Sequence, residues 1–353
     1  MLTLSEVVSS ITPADRAAMS AAKTHWDAVA HPLSSLGLLE DAVIRIAGMT
    51  GSPRVDLGKR AVVVMCADNG VVAEGVTQTG QEVTAIVTEN MSTGDTSVCC
   101  MARRAGAEVV PVDIGVAVPV RGEKILQRNV RRGTANMTQG PAMTRSEAVR
   151  AIEVGIDVVR ALKEQGYTLL GTGEMGIGNT TTSSAVVSVL LHKSPSEVTG
   201  RGAGLSSEGL RRKVDAIERA VALNRPDSAD GVDVLSKVGG LDLCGLAGVF
   251  LGGAYFHIPV LVDGFISSAA ALAAAAICPA AKDYMLGSHA SNEPAGAMVV
   301  EALGLTPFLY ANMCLGEGTG AAAVMPLLDM GLAVYNEMAT FDGINMDAYV
   351  PLT

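Results

Sequence analysis

The segment AVVVMCA at 61–67 is a short continuous apolar run that stops at Asp68-Asn69-Gly70. A strand buried on both faces reads this way, because neither side of it alternates toward water. Similar runs lie at 108–114, 167–171, 258–262 and 284–286, and each ends in glycine or Asp-Gly. Helical spacing fills 84–105, 146–165 and 208–224. Strands alternating with helices predict an α/β protein with a doubly wound, Rossmann-like parallel sheet.

The two ends have a different texture. Apolar residues recur at helical spacing over 4–11, 13–29 and 36–49, with Thr12 and Ser34 as candidate caps. The chain reads as helical again over 327–340, and its tail to Thr353 reads as irregular. The stretch 246–281 is apolar enough to raise a membrane question. Pro259, Asp263, Ser267 and Ser268 interrupt it, leaving no run of the roughly 20 apolar residues a bilayer helix needs. It reads as a buried helix, a buried strand and another buried helix.

Composition narrows the function. The chain is 49% hydrophobic but only 3% aromatic, so Ala, Val, Leu, Ile and Met must fill its core. A net charge of −10 with no basic block argues against nucleic acid. The nearest approach, RNVRR at 128–132, reads as a local anion contact or a solvated face. Six cysteines without C-x-x-C spacing suggest structural thiols in a reducing compartment. The five histidines lack metal-ligand spacing, and His257 reads as a satisfied core residue. The first residues, MLTLS, carry neither a basic nor an apolar secretion region, so the cytoplasm is the expected location.

Unusual residues gather at the expected strand ends and helix starts, where open α/β sheets bind ligands. Glu317 stands between Gly316 and Gly318. No neighbouring side chain shields it, and an apolar setting would raise its pKa toward the range a general base needs. A surface turn capping the next helix is the competing reading. GTGEMGIGNTTT at 171–182 contains G-x-G-x-x-G, a dinucleotide fingerprint, but Glu174 would put a carboxylate inside a pyrophosphate loop. Its glycines free backbone N–H groups for a ligand, and Asn179 and Thr180 could cap the helix that follows. In GRGAGLS at 200–206, Gly202 belongs to a second anion-type loop. Arg211, Arg212 and Lys213 follow early in a helix, against its dipole, which makes sense beside a bound phosphate. For Arg211 and Arg212 a solvated face is the rival reading.

Taken together, ADNGVVAEGVTQTG, GTGEMGIGNTTTSSA, GRGAGL with Lys213, DVLSKVGGLDLCGLAGVFLGGA, VDGFISSAAALAA and LGEGTGAAAVMPLLD resemble the nicotinate-nucleotide:dimethylbenzimidazole phosphoribosyltransferases of cobalamin lower-ligand assembly. The resemblance runs from about residue 30 to about residue 340. It implies a homodimer, with a large catalytic domain at 60–326 and a small helical domain built from 1–59 and 327–353. It also implies transfer of phosphoribose from nicotinate mononucleotide to a benzimidazole, with inversion and without a cofactor or metal. By motif position, Glu317 would be the general base, Glu174 a second active-site carboxylate and Asp263 a further polar group. Gly176, Gly202, Lys213 and Ser291 would surround the phosphate, with Asn179 and Thr180 beside it. Thr79 lies in the base-pocket loop, Cys314, Val87 and Met175 look like pocket-lining variations, and Leu315 is a further substrate-binding candidate. This chain departs from the family pattern at Asn69, where a histidine is expected, and at Thr79-Gly80-Gln81, where Ser-Pro-Lys is expected. Those departures bear on which base is preferred.

Two readings of other classes stand beside this one. A dinucleotide-dependent oxidoreductase would need an acid about 20 positions past the glycine motif, and Glu197 lies roughly there. A non-catalytic nucleotide sensor is discouraged by the joint presence of Glu317, Glu174 and Lys213. A relative that ribosylates phenols is the nearest alternative of the same class.

Overall fold

The computed structural model describes residues 2–349 of the chain; 350–353, the end of the expected tail, lie outside it. Among the described residues six strands form one sheet: β1 (Arg60–Ala67), β2 (Ala107–Gly115), β3 (Leu126–Gln127), β4 (Leu169–Met175), β5 (Val260–Val262) and β6 (Met285–Gly287). Every pairing is parallel, and the order is β3-β2-β1-β4-β5-β6. This is the doubly wound dinucleotide-fold order, whose direction reverses between β1 and β4. Ligands in such sheets bind in the crevice at that reversal. All eight residues of β1 are buried, as a central parallel strand requires. The two-residue β3 carries too little pattern to be seen in sequence.

The described residues also form the α-helices that surround the sheet. The first three are α1 (Leu4–Ser10), α2 (Arg16–Ala28) and α3 (Leu38–Thr50). Next come α4 (Glu82–Thr93), α5 (Ser97–Arg104), α6 (Arg145–Glu164), α7 (Asn179–Leu190) and α8 (Pro195–Val198). Then follow α9 (Ser207–Asn224), α10 (Gly231–Val238), α11 (Leu241–Phe256), α12 (Phe265–Ile277), α13 (Gly296–Ala302) and α14 (Thr319–Glu337). The apolar stretch 246–281 is the expected helix, strand and helix. None of the described helices is long and apolar enough to cross a membrane.

Helices α6 and α11 meet at glycine. A Cβ on Gly155 would overlap the Gly245 carbonyl, and one on Gly248 would overlap the Ile152 carbonyl. Side chains there would force the helices apart, so the many small residues of α11 are a packing requirement.

Several local expectations are corrected. The pattern at 84–105 is two helices, because Gly94 adopts φ 90° and ends α4 before Thr96 caps α5. Thr12 and Ser34 are not caps. Asp15 caps α2, accepting from Ala17 N and Ala18 N, and α3 starts at Gly37 without a side-chain cap. His257 is exposed at the left-handed end of α11, with Nδ1 3.2 Å from the Met49 carbonyl. Arg131 and Arg132 are ion-paired, with Glu147 and with the fully buried Asp113. All six cysteines are free, four of them buried.

The chain ends meet. Ala30 N donates to the Ala339 carbonyl, Phe341 N donates to that of Ala28, and His25 Nε2 faces the Tyr335 carbonyl at 2.7 Å. Helix α14 starts at Thr319 and continues unbroken through position 327.

Candidate active site

The glycines of the G-x-G-x-x-G pattern do a different job from a dinucleotide loop. Gly171 and Gly173 lie inside β4, which runs four residues beyond the expected end at 171. A Cβ on Gly173 would overlap the Glu317 carbonyl, and one on Gly171 would stand 2.8 Å from Ala321 Cβ. The missing side chains let the Glu317 turn lie directly on the strand that carries Glu174. Glu197 closes a capping box with Ser194 at the start of α8. Its carboxylate is thereby engaged at a helix start, and the dinucleotide reading loses its acidic residue.

Glu174 and the Glu317 turn therefore come together at the reversal of the sheet. Glu174 is buried at the end of β4, and a Cβ on Gly316 would stand 2.5 Å from its Oε1. Its Oε2 accepts from Asn179 Nδ2. Burial, then the nearby Asp242 charge, push its carboxyl up to about 8. Glu317 is half-buried, and burial also raises its pKa, against one N–H donated by Val98 at 3.3 Å. Glu317 has φ 62°, a left-handed conformation that costs a residue with a side chain roughly 1–2 kcal/mol. Such strain gathers where backbone geometry serves function.

Asp263, following β5, fixes that turn. Its carboxylate accepts the N–H groups of Gly318, Gly320 and Ala321 at 3.1, 2.7 and 3.0 Å. Helix α14 has no capping side chain of its own, so Asp263 caps it from a distance. Burial raises the Asp263 pKa, opposed by His289 and by these three donors. The competing sequence reading of Glu317, a self-contained cap, falls away.

A second group of residues gathers around Lys213. Lys213 is wholly buried, and its Nζ donates to Thr180 Oγ1 at 2.8 Å and to the Gly200 carbonyl at 3.1 Å. Burial without a contacting carboxylate lowers its pKa to about 8. A Cβ on Gly202 would stand 2.9 Å from Thr180 Oγ1 and 3.5 Å from Lys213 Nζ, so these three converge. The Ser291 hydroxyl accepts from Glu293 N at 3.4 Å, and Glu293 itself packs against Gly200. Helix α7 begins at Gly178, φ 94°, with no side-chain cap, so Asn179 and Thr180 do not cap it as expected. Instead Asn179 reaches Glu174 and Thr180 reaches Lys213. Arg212 pairs with Glu208 and Arg211 is exposed, as a solvated face would have them.

The remaining expected residues are more scattered. Gly176 lies where a Cβ would stand 2.7 Å from Asp242 Oδ2 and 3.1 Å from Asn69 Nδ2. Met175 and Val87 are half-buried, whereas Thr79 and Leu315 are exposed. The loop carrying Thr79 touches the anion loop, because Gln78 donates to the Gly204 carbonyl.

Asp242 was missed in the sequence. It is the single acid of the otherwise apolar helix α11, fully buried, with Leu243 N donating to Oδ1 at 2.9 Å. Burial pushes it up to about 6. A lone acid in an apolar helix is the signal that could have found it.

The comparisons with known proteins agree. A family model described as "Phosphoribosyltransferase" matches residues 11–345. The nicotinate-nucleotide–dimethylbenzimidazole phosphoribosyltransferase of Acetivibrio thermocellus is 48% identical over 348 residues, 99% of each chain. The protein of that name from Escherichia coli SE11 is 46% identical, over 98% of this chain and 97% of its own. The crystal structure of CobT from Thermus thermophilus superposes with TM-score 0.90 at 40% identity, covering 94% of this chain and all of that one. The chain therefore belongs to the nicotinate-nucleotide–dimethylbenzimidazole phosphoribosyltransferase family.

Proposed function

We propose that this enzyme transfers the phosphoribosyl group of nicotinate mononucleotide to 5,6-dimethylbenzimidazole or a related base. The products are α-ribazole 5′-phosphate and nicotinate, with inversion at the anomeric carbon. The observation that carries the reading is one helix start that joins both groups: Asn179 contacts Glu174 beside the Glu317 turn, and the next residue, Thr180, contacts buried Lys213.

The chemistry needs little else. Nicotinate leaves from a pyridinium that already carries positive charge, so the departing group requires neither acid nor metal. One nitrogen of the incoming base attacks the anomeric carbon, and its other nitrogen gives up a proton to Glu317. General-base help of this kind contributes typically about 10²–10⁴-fold, and alignment of the two substrates supplies the rest. Lys213, Thr180 and Gly202, with Gly176 and Ser291 nearby, hold the 5′-phosphate. Thr79, Val87, Met175 and Leu315 border the aromatic base. We further propose a cytoplasmic homodimer, with 60–326 as the catalytic domain and the helical ends, 1–59 and 327–353, as a second small domain.

The test is incubation with nicotinate mononucleotide and a panel of benzimidazoles, purines and phenols, in buffer with EDTA and without added dinucleotide. Chromatography should show nicotinate released only when an acceptor is present. Release without any acceptor product, or none with any base, would sink the proposal.

A further inference from the structure

Behind Glu174 lies a second buried acid. The Glu174 carboxylate divides its oxygens: Oε2 takes the Asn179 amide, while Oε1 faces Gly316 in the Glu317 turn. Asp242 stands just past the end of the same strand: a Cβ on Gly176, two residues after Glu174, would lie 2.7 Å from its Oδ2, and Asn69 Nδ2 lies 3.5 Å from that oxygen. Both acids are buried, and neither forms a salt bridge among the described residues. Two buried carboxylates set this close, neither of them ion-paired, cannot both stay ionised at low cost. One of them keeps a proton.

We propose that Asp242 is a positioning residue for the transfer: as a second buried acid beside the end of β4 it keeps Glu174 in its proton-bearing form, with Oε1 turned toward the Glu317 turn. The geometry selects which acid carries the proton. Asp242 accepts the Leu243 N–H at 2.9 Å and has the Asn69 amide at 3.5 Å, so two donors face its charge. Glu174 has one amide donor and an oxygen facing Gly316. The other titratable groups facing Glu174 are Asp263 after β5, Glu317 before α14 and Cys66 on β1, while His289 faces Asp263. The carboxylates among them add to its reluctance to ionise. The consequence is a division of labour: Glu317 is the ionised base, and Glu174 is a neutral acid that donates a hydrogen bond into the site. That catalytic consequence rests on the phosphoribosyl-transfer reading; the relationship between the two acids does not.

The experiment titrates Glu174 directly. Protein labelled with ¹³C at the glutamate side-chain carboxyl is followed by NMR across pH 5–10, and the Glu174 signal is assigned by its loss in Glu174→Gln. The parent signal should remain protonated at neutral pH, with a midpoint near the expected value of about 8. Asp242→Asn should lower that midpoint by about one pH unit or more, and Asp242→Ser should do the same if the amide packs poorly. A parent Glu174 already ionised at neutral pH overturns the proposal whatever the variants do. So does a midpoint unchanged in either folded variant. In turnover, the alkaline fall of kcat should move acidward in Asp242→Asn by the same interval, with KM for the nucleotide unchanged. That alkaline fall should be absent in Glu174→Gln, whose amide is a neutral donor at every pH. A protein showing the NMR shift but no transfer to any base would remove the functional reading and leave the Asp242 relationship intact.

Discussion

Asp263 holds Glu317 without touching its side chain. The carboxylate takes N–H groups from Gly318, Gly320 and Ala321, the residues that follow Glu317 in the turn and first turn of α14. These bonds hold the turn against β4, with the Glu317 carbonyl over Gly173 and Gly316 beside Glu174, while the Glu317 carboxylate accepts from Val98 N at the start of α5. The expected direct role of Asp263 in the site thus has a backbone counterpart.

Asp263→Ala should therefore affect both stability and rate. Hydrogen bonds to charged groups are worth about 1.5–3 kcal/mol each and are not additive, so a loss of about 3 kcal/mol is expected in denaturant unfolding. Activity should fall by about 100-fold or more, as a reacting group displaced by an ångström would cause. A variant that unfolds like the parent and turns over normally would show that the turn holds itself.

Gly173 offers a test of the same contact from the other side. A methyl there would collide with the Glu317 carbonyl, while β4 itself tolerates alanine. Gly173→Ala should cost about 1–3 kcal/mol as an overpacked site does, and should lower kcat much more than it raises KM for the nucleotide. Equal and small changes in both would mean the turn gives way without moving the carboxylate.

The sheet was legible because its strands are buried on both faces, and continuous apolar runs such as 61–67 have no other economical fold. The α11 to α12 succession was legible for the same reason. The site was legible only in part. Gly171 and Gly173 looked like a phosphate loop because sequence spacing does not reveal that β4 continues to Met175. Asn179 and Thr180 looked like caps because their residue type favours that position, and tertiary partners claimed their side chains instead. Asp263 acts on residues 55 or more positions away, a relationship no local pattern carries. His257 read as core because its neighbours are apolar, yet the left-handed end of α11 turns it outward.

Lys213 carries two opposed predictions. Lys213→Ala should raise KM for nicotinate mononucleotide by roughly 10- to 150-fold, the worth of one charged hydrogen bond, with little change in kcat. The ligand-free protein should meanwhile gain stability from Lys213→Met. The folded pKa of about 8 lies below the ordinary value of 10.5, so burial penalises the charged lysine. Below pH 8 both folded and unfolded states hold the proton and the full penalty, on the order of 3 kcal/mol, is present. Between about 8 and 10.5 the unfolded state binds more protons, so parent stability should rise with pH across that window. Lys213→Met should lack that rise. An unchanged KM, or the same rise in the methionine variant, would take the anion role away from this residue.

Glu317→Gln isolates the proton transfer. Glutamine keeps the size and can still accept from Val98 N, but it cannot take a proton from the attacking base. With benzimidazole acceptors kcat should fall by about two or more powers of ten, while KM for both substrates stays near the parent value. In the parent, the rate should decline on the acid side as Glu317 protonates, at a pH above the ordinary glutamate range because burial raises its pKa. Glu317→Gln has no such group, so its residual rate should lose that acid limb. Glu174→Gln should cost less, because a neutral amide can replace a neutral acid as a donor. Near-parental turnover in Glu317→Gln together with a dead Glu174→Gln would assign the base to Glu174. Full activity in both would leave the transfer without a carboxylate base, with catalysis resting on substrate alignment alone.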